Sequence, residues 1–180
     1  MIDTQLIESS NGSLFKNFIS NPIETDKFSV EITSQNVYRF IDKTKNFGGV
    51  YNEDNINFIK YFYRKLFDIE FNSILISGLG LGIVPYICQN KTDVVDVVEI
   101  DLDVINFVNE IGHLNGNVNL INDDMYNFIP HRTYDVILFD HWSVGATARD
   151  KDIFSKKFHP FLNTNGVISI PIIEQFKNYN

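Results

Sequence analysis

From Ser73 onward, short runs rich in valine and isoleucine alternate with longer amphipathic segments, and this alternation constrains the fold more than any other feature. Runs at residues 73–77, 94–100, 118–121, 134–140 and 167–170 read as strands. They are apolar almost throughout, as expected when both faces of a sheet are covered. Between them, residues 83–89 and 152–162 read as helices. So does the segment from Asp103, where Val104, Ile105, Val108 and Ile111 recur at helical spacing. Strand, helix, strand repeated in this order predicts βαβ units and an α/β fold with a mostly parallel sheet. Residues before 72 are less regular, with turn-rich stretches at 9–13 and 42–46. There, residues 28–32 and 37–41 read as a small hairpin, and 55–67 as an aromatic-rich helix. The expected organisation is one compact domain, with an N-terminal segment (1–72) packed on a core (73–180).

The chain has 180 residues, 44% of them hydrophobic, enough for one sizeable core. Its net charge of -8 would repel a phosphate backbone, so nucleic acid is not an expected partner. The acidity suits a cationic small molecule, although solubility alone also explains it. Cys88 is the single cysteine, which excludes an intramolecular disulfide and a cysteine-based zinc site, and no metal is expected. It lies in an apolar stretch and reads as a buried small hydrophobe. The first residues lack the basic-then-apolar order of a signal peptide, and no apolar run approaches the ~20 residues that span a bilayer. A soluble, cytoplasmic protein without membrane association is the expectation.

The first strand of this core runs into Gly78-Leu79-Gly80-Leu81-Gly82. Glycines at this junction tolerate positive φ and let backbone approach a ligand closely. The dinucleotide-binding form of such a turn places its third glycine one residue later, where this chain has Ile83, so the spacing disfavours a nicotinamide dinucleotide. Glu99 ends the second strand about twenty residues past the first glycine, where a carboxylate can accept both hydroxyls of a ribose. Asp123 and Asp124, just past the third strand, compete for contact with an adenine amine. Either can instead cap a helix over residues 125–128. Asp101 reads as a helix cap, because Glu99 already holds the ribose position. Leu79, Ile100 and Met125 flank these groups and complete the candidate cofactor contacts. Asp140 ends the fourth strand at the carboxyl edge of the sheet, where ligands bind in open α/β folds. His141 beside it is a candidate base near neutral pH, or a structural hydrogen-bonding group. Trp142 and residues 143–148 follow as a loop able to cover a substrate.

These residues resemble the spermidine synthase-like branch of the class I S-adenosylmethionine-dependent methyltransferase superfamily. Residues 74–82 look like its first motif, 97–105 its ribose-binding segment, 134–140 the strand presenting its catalytic aspartate, and 144–148 its gatekeeping loop. The resemblance implies a Rossmann-like methyltransferase fold, here shortened at the C-terminus, binding S-adenosylmethionine or its decarboxylated form. It also implies that Asp140 holds or deprotonates a nucleophile, with an amine among the candidate small-molecule acceptors, and leaves a homo-oligomer open. Two carboxylates that hold amines in the aminopropyltransferases are replaced here by Leu81 and Ser143, and the N-terminal β-domain of that branch is missing or much reduced. Three functions therefore stand side by side. They are methyl transfer to a small molecule, diverged aminopropyl transfer with replacement acids such as Glu53 or Asp54, and non-catalytic binding.

Overall fold

The computed structural model describes residues 21–32, 38–44, 47–51, 70–140 and 147–169. The chain divides into two compact units, Met1–Glu70 with Glu110–His113, and Phe71–Asn109 with Leu114–Asn180. In the first, strands β1 (Ile23–Glu24), β2 (Phe28–Ile32), β3 (Tyr38–Asp42) and β4 (Phe47–Tyr51) form an antiparallel sheet in chain order. Val30 lies opposite Phe40, and Phe28 stacks on Phe40 with ring centroids 5.5 Å apart, so one face is apolar. Glu31 opposite Arg39 marks the other face with an exposed ion pair. The β2–β3 hairpin matches the sequence reading. The flanking β1 and β4 do not, and they correct the expectation that this region holds little β-structure. The helix expected at 55–67 lies outside the described residues.

In the second unit, β5 (Ser73–Ser77), β6 (Val94–Glu99), β7 (Val118–Asn122), β8 (Tyr134–Phe139) and β9 (Leu162–Ser169) form a sheet in the order β7-β6-β5-β8-β9. All four pairings are parallel. Register aligns Ile74, Val95 and Val136, and Ile76, Val97 and Leu138, on one face, with Leu75, Ile137, Val98 and Phe139 on the other. Helices α1 (Ile83–Cys88) and α2 (Leu102–Ile111) connect β5 to β6 and β6 to β7. The order then reverses direction at β8, and α3 (Ala148–Phe158) connects β8 to β9. Right-handed crossovers on the two sides of this reversal put their helices on opposite faces. Accordingly, Phe154 and Phe158 of α3 pack on Phe139 at 4.7 and 5.3 Å, within a core that includes Leu75 and Ile137.

Helix α3 starts four residues before the expected position. Its start is set by a capping box. The Thr147 hydroxyl accepts from the Asp150 N–H at 3.2 Å, while the Asp150 carboxylate accepts from the Thr147 N–H at 2.9 Å. Thr147 and Ala148, read from sequence as part of a covering loop, are thus cap and first residue of a helix. Its end at Phe158 precedes a 3-10 turn, His159–Phe161, built around Pro160. Residues 125–128, read as a possible helix, form a single turn instead. Strand β9 is longer than expected because its register shifts against β8 between Tyr134 and Val136. Gly166 enters this irregularity where a Cβ would lie 3.0–3.2 Å from three backbone carbonyl oxygens, a tight approach that favours glycine.

Across the opposite edge of the sheet, Asp135 ties three strands together. Its carboxylate accepts from the Asn72 and Ser73 N–H groups at 2.8 and 3.0 Å and from Asn163 Nδ2 at 2.7 Å. Burial alone would raise the Asp135 carboxyl, but the hydrogen bonds from Asn163, Asn72 and Ser73 outweigh it and hold it below its ordinary value. An acid lowered in this way stabilises the fold above its unfolded pKa, and that contribution is lost as pH falls through the folded value. Asp135→Ala should lower unfolding stability by about 1–3 kcal/mol at pH 7. In urea denaturation the gap to wild type should narrow as pH falls below the ordinary carboxylate range, and a gap independent of pH would contradict the clamp.

Candidate functional site

The site is built where β5, β6 and β7 end. β5 passes into a turn in which Gly78, Gly80 and Gly82 have φ of 93°, 52° and 77°, a region that residues with a Cβ rarely adopt. Leu79 and Leu81 within it are 5% and 1% exposed, so two core side chains anchor the turn between its glycines. The Gly78 N–H donates to Val98 O at 2.9 Å, and the Gly82 N–H to Leu79 O at 2.8 Å. Gly82 then caps α1 in the left-handed conformation. Leu81 therefore brings an apolar, buried side chain to this turn.

Glu99 joins the turn to the end of β6. One carboxylate oxygen accepts from the Leu79 N–H at 2.9 Å and the other from the Asp101 N–H at 2.9 Å. Its carbonyl accepts from the Asp123 N–H at 3.1 Å and from Asn122 Nδ2 at 3.0 Å. Two backbone donors fill only part of the carboxylate's accepting capacity, which leaves it able to receive hydroxyl protons as well. Asp101 is the cap of α2, as the sequence suggested. Its carboxylate accepts from the Asp103 N–H at 3.0 Å and its carbonyl from the Val104 N–H at 3.1 Å.

The same geometry divides the roles of Asp123 and Asp124. Asp124 closes the turn after β7, accepting from the Tyr126 N–H at 2.9 Å and Asn127 Nδ2 at 3.0 Å, while its carbonyl accepts from the Asn127 and Phe128 N–H groups. Asp123 accepts from the Asp124 N–H at 2.7 Å, and its other oxygen takes no hydrogen bond from the described residues. The capping alternative thus belongs to Asp124, and Asp123 is the exposed acid.

These segments enclose a cavity of about 280 Å³. Gly78, Glu99, Ile100, Asp123, Asp124 and Met125 from the sequence reading line it together. Ser77, Val98 and Tyr126 also line it, and the sequence reading did not include them. Tyr126 had a signal, since it adjoins Met125 in a loop already singled out. Leu79, Gly80 and Gly82 shape the turn but do not form the cavity wall. Ile100, 68% exposed, lines the cavity at its rim. Asp140 follows β8 directly and is exposed. Its N–H donates to Ser77 O at 2.8 Å, which places it beside the glycine turn across the point where strand order reverses. His141, Trp142 and Ser143 lie outside the described residues, as do Glu53 and Asp54.

Cys88 is buried, and burial pushes its thiol up to about 12, so it carries no thiolate at neutral pH. Among the described residues, no group of three or more His, Cys, Asp or Glu is placed to hold a metal ion. No helix among them is long and apolar enough to cross a membrane.

No protein-family model matches the chain, and no curated protein matches it in sequence. Among solved structures, it is similar in fold to the DhpI–SAM–HEP complex, with 17% identity, a TM-score of 0.53, 64% of this chain covered and 54% of that one. The glycopeptide N-methyltransferase MtfA matches with 13% identity and a TM-score of 0.50, over 62% of this chain and 50% of that one. N-methyltransferase NodS from Bradyrhizobium japonicum WM9, in complex with S-adenosyl-l-homocysteine, matches with 10% identity and a TM-score of 0.50, over 64% and 58%. The chain thus spans somewhat more than half the length of the first and third and half of the second. Its α/β unit has the Rossmann-like fold of methyltransferases.

Because Glu99 holds the turn through its side chain, Glu99→Ala leaves the Leu79 and Asp101 N–H groups without their acceptor. The ligand-free protein should lose about 1–2 kcal/mol of stability. Thermal unfolding measures this directly, and an unchanged midpoint would show that the carboxylate does not organise the turn.

Proposed function

We propose that the chain is an S-adenosylmethionine-dependent transferase, and that the reaction is methyl transfer to a small molecule. The observation that carries this reading is the Glu99 carboxylate, fixed between the glycine turn and β6 at the wall of the cavity. The groups present suit such a cofactor. Glu99 offers acceptors for ribose hydroxyls, Asp123 an acceptor for the adenine amine, and Ile100, Val98 and Met125 apolar surface for the base. Solved structures of the same fold that hold S-adenosylmethionine or its demethylated product support the choice of cofactor.

When bound, the cofactor supplies an electrophilic carbon on a sulfonium. The chain's own part is to bind and align. Glu99 and Asp123 would fix the nucleoside, and the glycine turn would bring backbone close to the rest of the cofactor. Asp140, next to that turn, would hold the acceptor's nucleophile and take its proton if one is released, with His141 as a further base. Methyl transfer is favoured over aminopropyl transfer because Leu81 and Ser143 stand where the resemblance would place the amine-holding acids of aminopropyl transfer. We further place the protein in the cytoplasm.

Calorimetry with S-adenosylmethionine, its decarboxylated form and S-adenosylhomocysteine tests this reading. The first and third should bind and the decarboxylated form should gain nothing over them. Asp140→Asn should retain that binding and lose turnover with the acceptor. Absence of binding by any of the three would overturn the cofactor assignment, and undiminished turnover in Asp140→Asn would remove Asp140 from the chemistry.

A further inference from the structure

Lys157 lies in the last turn of α3, remote in sequence from every element of the cavity. Its ammonium donates to the carbonyl oxygens of Met125 at 3.2 Å and Tyr126 at 2.6 Å, two residues of the cavity wall. The aliphatic stem is half-buried, and the ammonium sits 5.1 Å from the ring centroid of Phe158, itself wholly buried. Burial lowers the Lys157 pKa, while the nearby charges of Asp124 and Asp123 act to raise it. The cation is thus held beneath a loop carrying two carboxylates.

The loop after β7 is tied to its surroundings on both sides. On its first side the Asp123 N–H reaches Glu99 O, which fastens it to β6. On its far side the Met125 and Tyr126 carbonyls are fastened to α3 by Lys157. Asp124 closes the turn from within. Tyr126 is further braced edge-on against Phe154 of α3, at 4.8 Å. A surface lysine that served solubility alone would extend into water. This one instead spends its donors on two peptide carbonyls, the kind of charge-assisted bond that fixes backbone. Removing it would leave the Met125 and Tyr126 carbonyls without this tie and loosen the backbone there.

We propose that Lys157 is a positioning residue for the base-binding wall of the cavity, holding the loop over residues 123–126 so that Asp123 and the Met125–Tyr126 wall select the purine. This rests on the reading of the cavity as a nucleoside site, and deepens it by assigning specificity for the base to a helix outside the cavity. Lys157 touches no ligand in this account. It acts through the backbone it holds.

The test compares S-adenosylhomocysteine with S-inosylhomocysteine, which carries a carbonyl in place of the adenine amine. Wild type should prefer the adenine ligand by about tenfold, the range expected for a hydrogen-bonded polar contact. Lys157→Met should weaken S-adenosylhomocysteine several-fold and reduce the preference to about threefold or less, within the span of one lost hydrogen bond. Lys157→Arg, which keeps the charge and donors, should restore most of both. A merely structural lysine would lower the thermal midpoint without changing the ratio. An unchanged ratio in Lys157→Met therefore overturns the proposal. Wild type that binds both ligands equally overturns it as well, while leaving the transferase reading intact. Wild type that binds neither overturns both.

Discussion

The Glu99 carboxylate is the interaction on which the rest of the site depends. One side chain receives the backbone of the glycine turn and of the first residue entering α2, while its own carbonyl receives the loop after β7. Three segments distant in sequence are thereby fixed to one residue at the end of a buried strand. The carboxylate faces are neither spent nor neutralised by a neighbouring cation in the described residues. Under the proposed cofactor reading, a strand end with this arrangement would receive hydroxyl groups with little reorganisation, which is the basis of low-cost binding.

The sheet makes that arrangement possible. Its order, β7-β6-β5-β8-β9, sends the connections after β5 and β8 in opposite directions and leaves an opening above their carboxyl ends. Packing on both faces of β5, β6 and β8 is apolar, so the polar groups are confined to the strand ends and the far edge. One exception lies inside: Asp96, 2% exposed, accepts from Tyr134 Oη at 2.6 Å and Asn119 Nδ2 at 3.2 Å and has Arg132 at 3.7 Å. A buried charge with this many partners is satisfied rather than poised, and burial together with the Asp96 contact raises the Tyr134 phenol further from ionisation. The Asp135 clamp holds the far edge, Asp96 the interior, and Glu99 the ligand edge. The three carboxylates illustrate how environment assigns different work to one chemical group.

Much of the α/β unit was legible because its signals are local. Strand runs of valine and isoleucine, glycines at a strand-to-helix junction and a carboxylate at a strand end each read within a few residues, and β5 to β8 fall where the pattern predicts, while β9 begins earlier at Leu162. What failed to show was set by contacts over distance or by weak local signals. Strand β1 is two residues long and β4 carries Gly48 and Gly49, which dilute the strand pattern. Thr147 looked like part of a small-residue loop because its cap depends on Asp150 folding back. The choice between Asp123 and Asp124 required the turn geometry, which sequence spacing does not distinguish. Lys157 reads as one of several lysines on a polar helix, and its role depends on carbonyls 31 and 32 residues away.

The central claim is that Glu99 and the segments tied to it form a nucleoside cofactor site. It is tested most directly by titrating the isotopically labelled protein with S-adenosylhomocysteine and following backbone amide resonances. The account predicts saturable shifts concentrated at Gly78, Leu79, Ile100, Asp101 and Asp123, with little change at Asn72 and Ser73 on the opposite edge of the sheet. Saturable shifts clustered away from Glu99, or none at all at high ligand concentration, would contradict it.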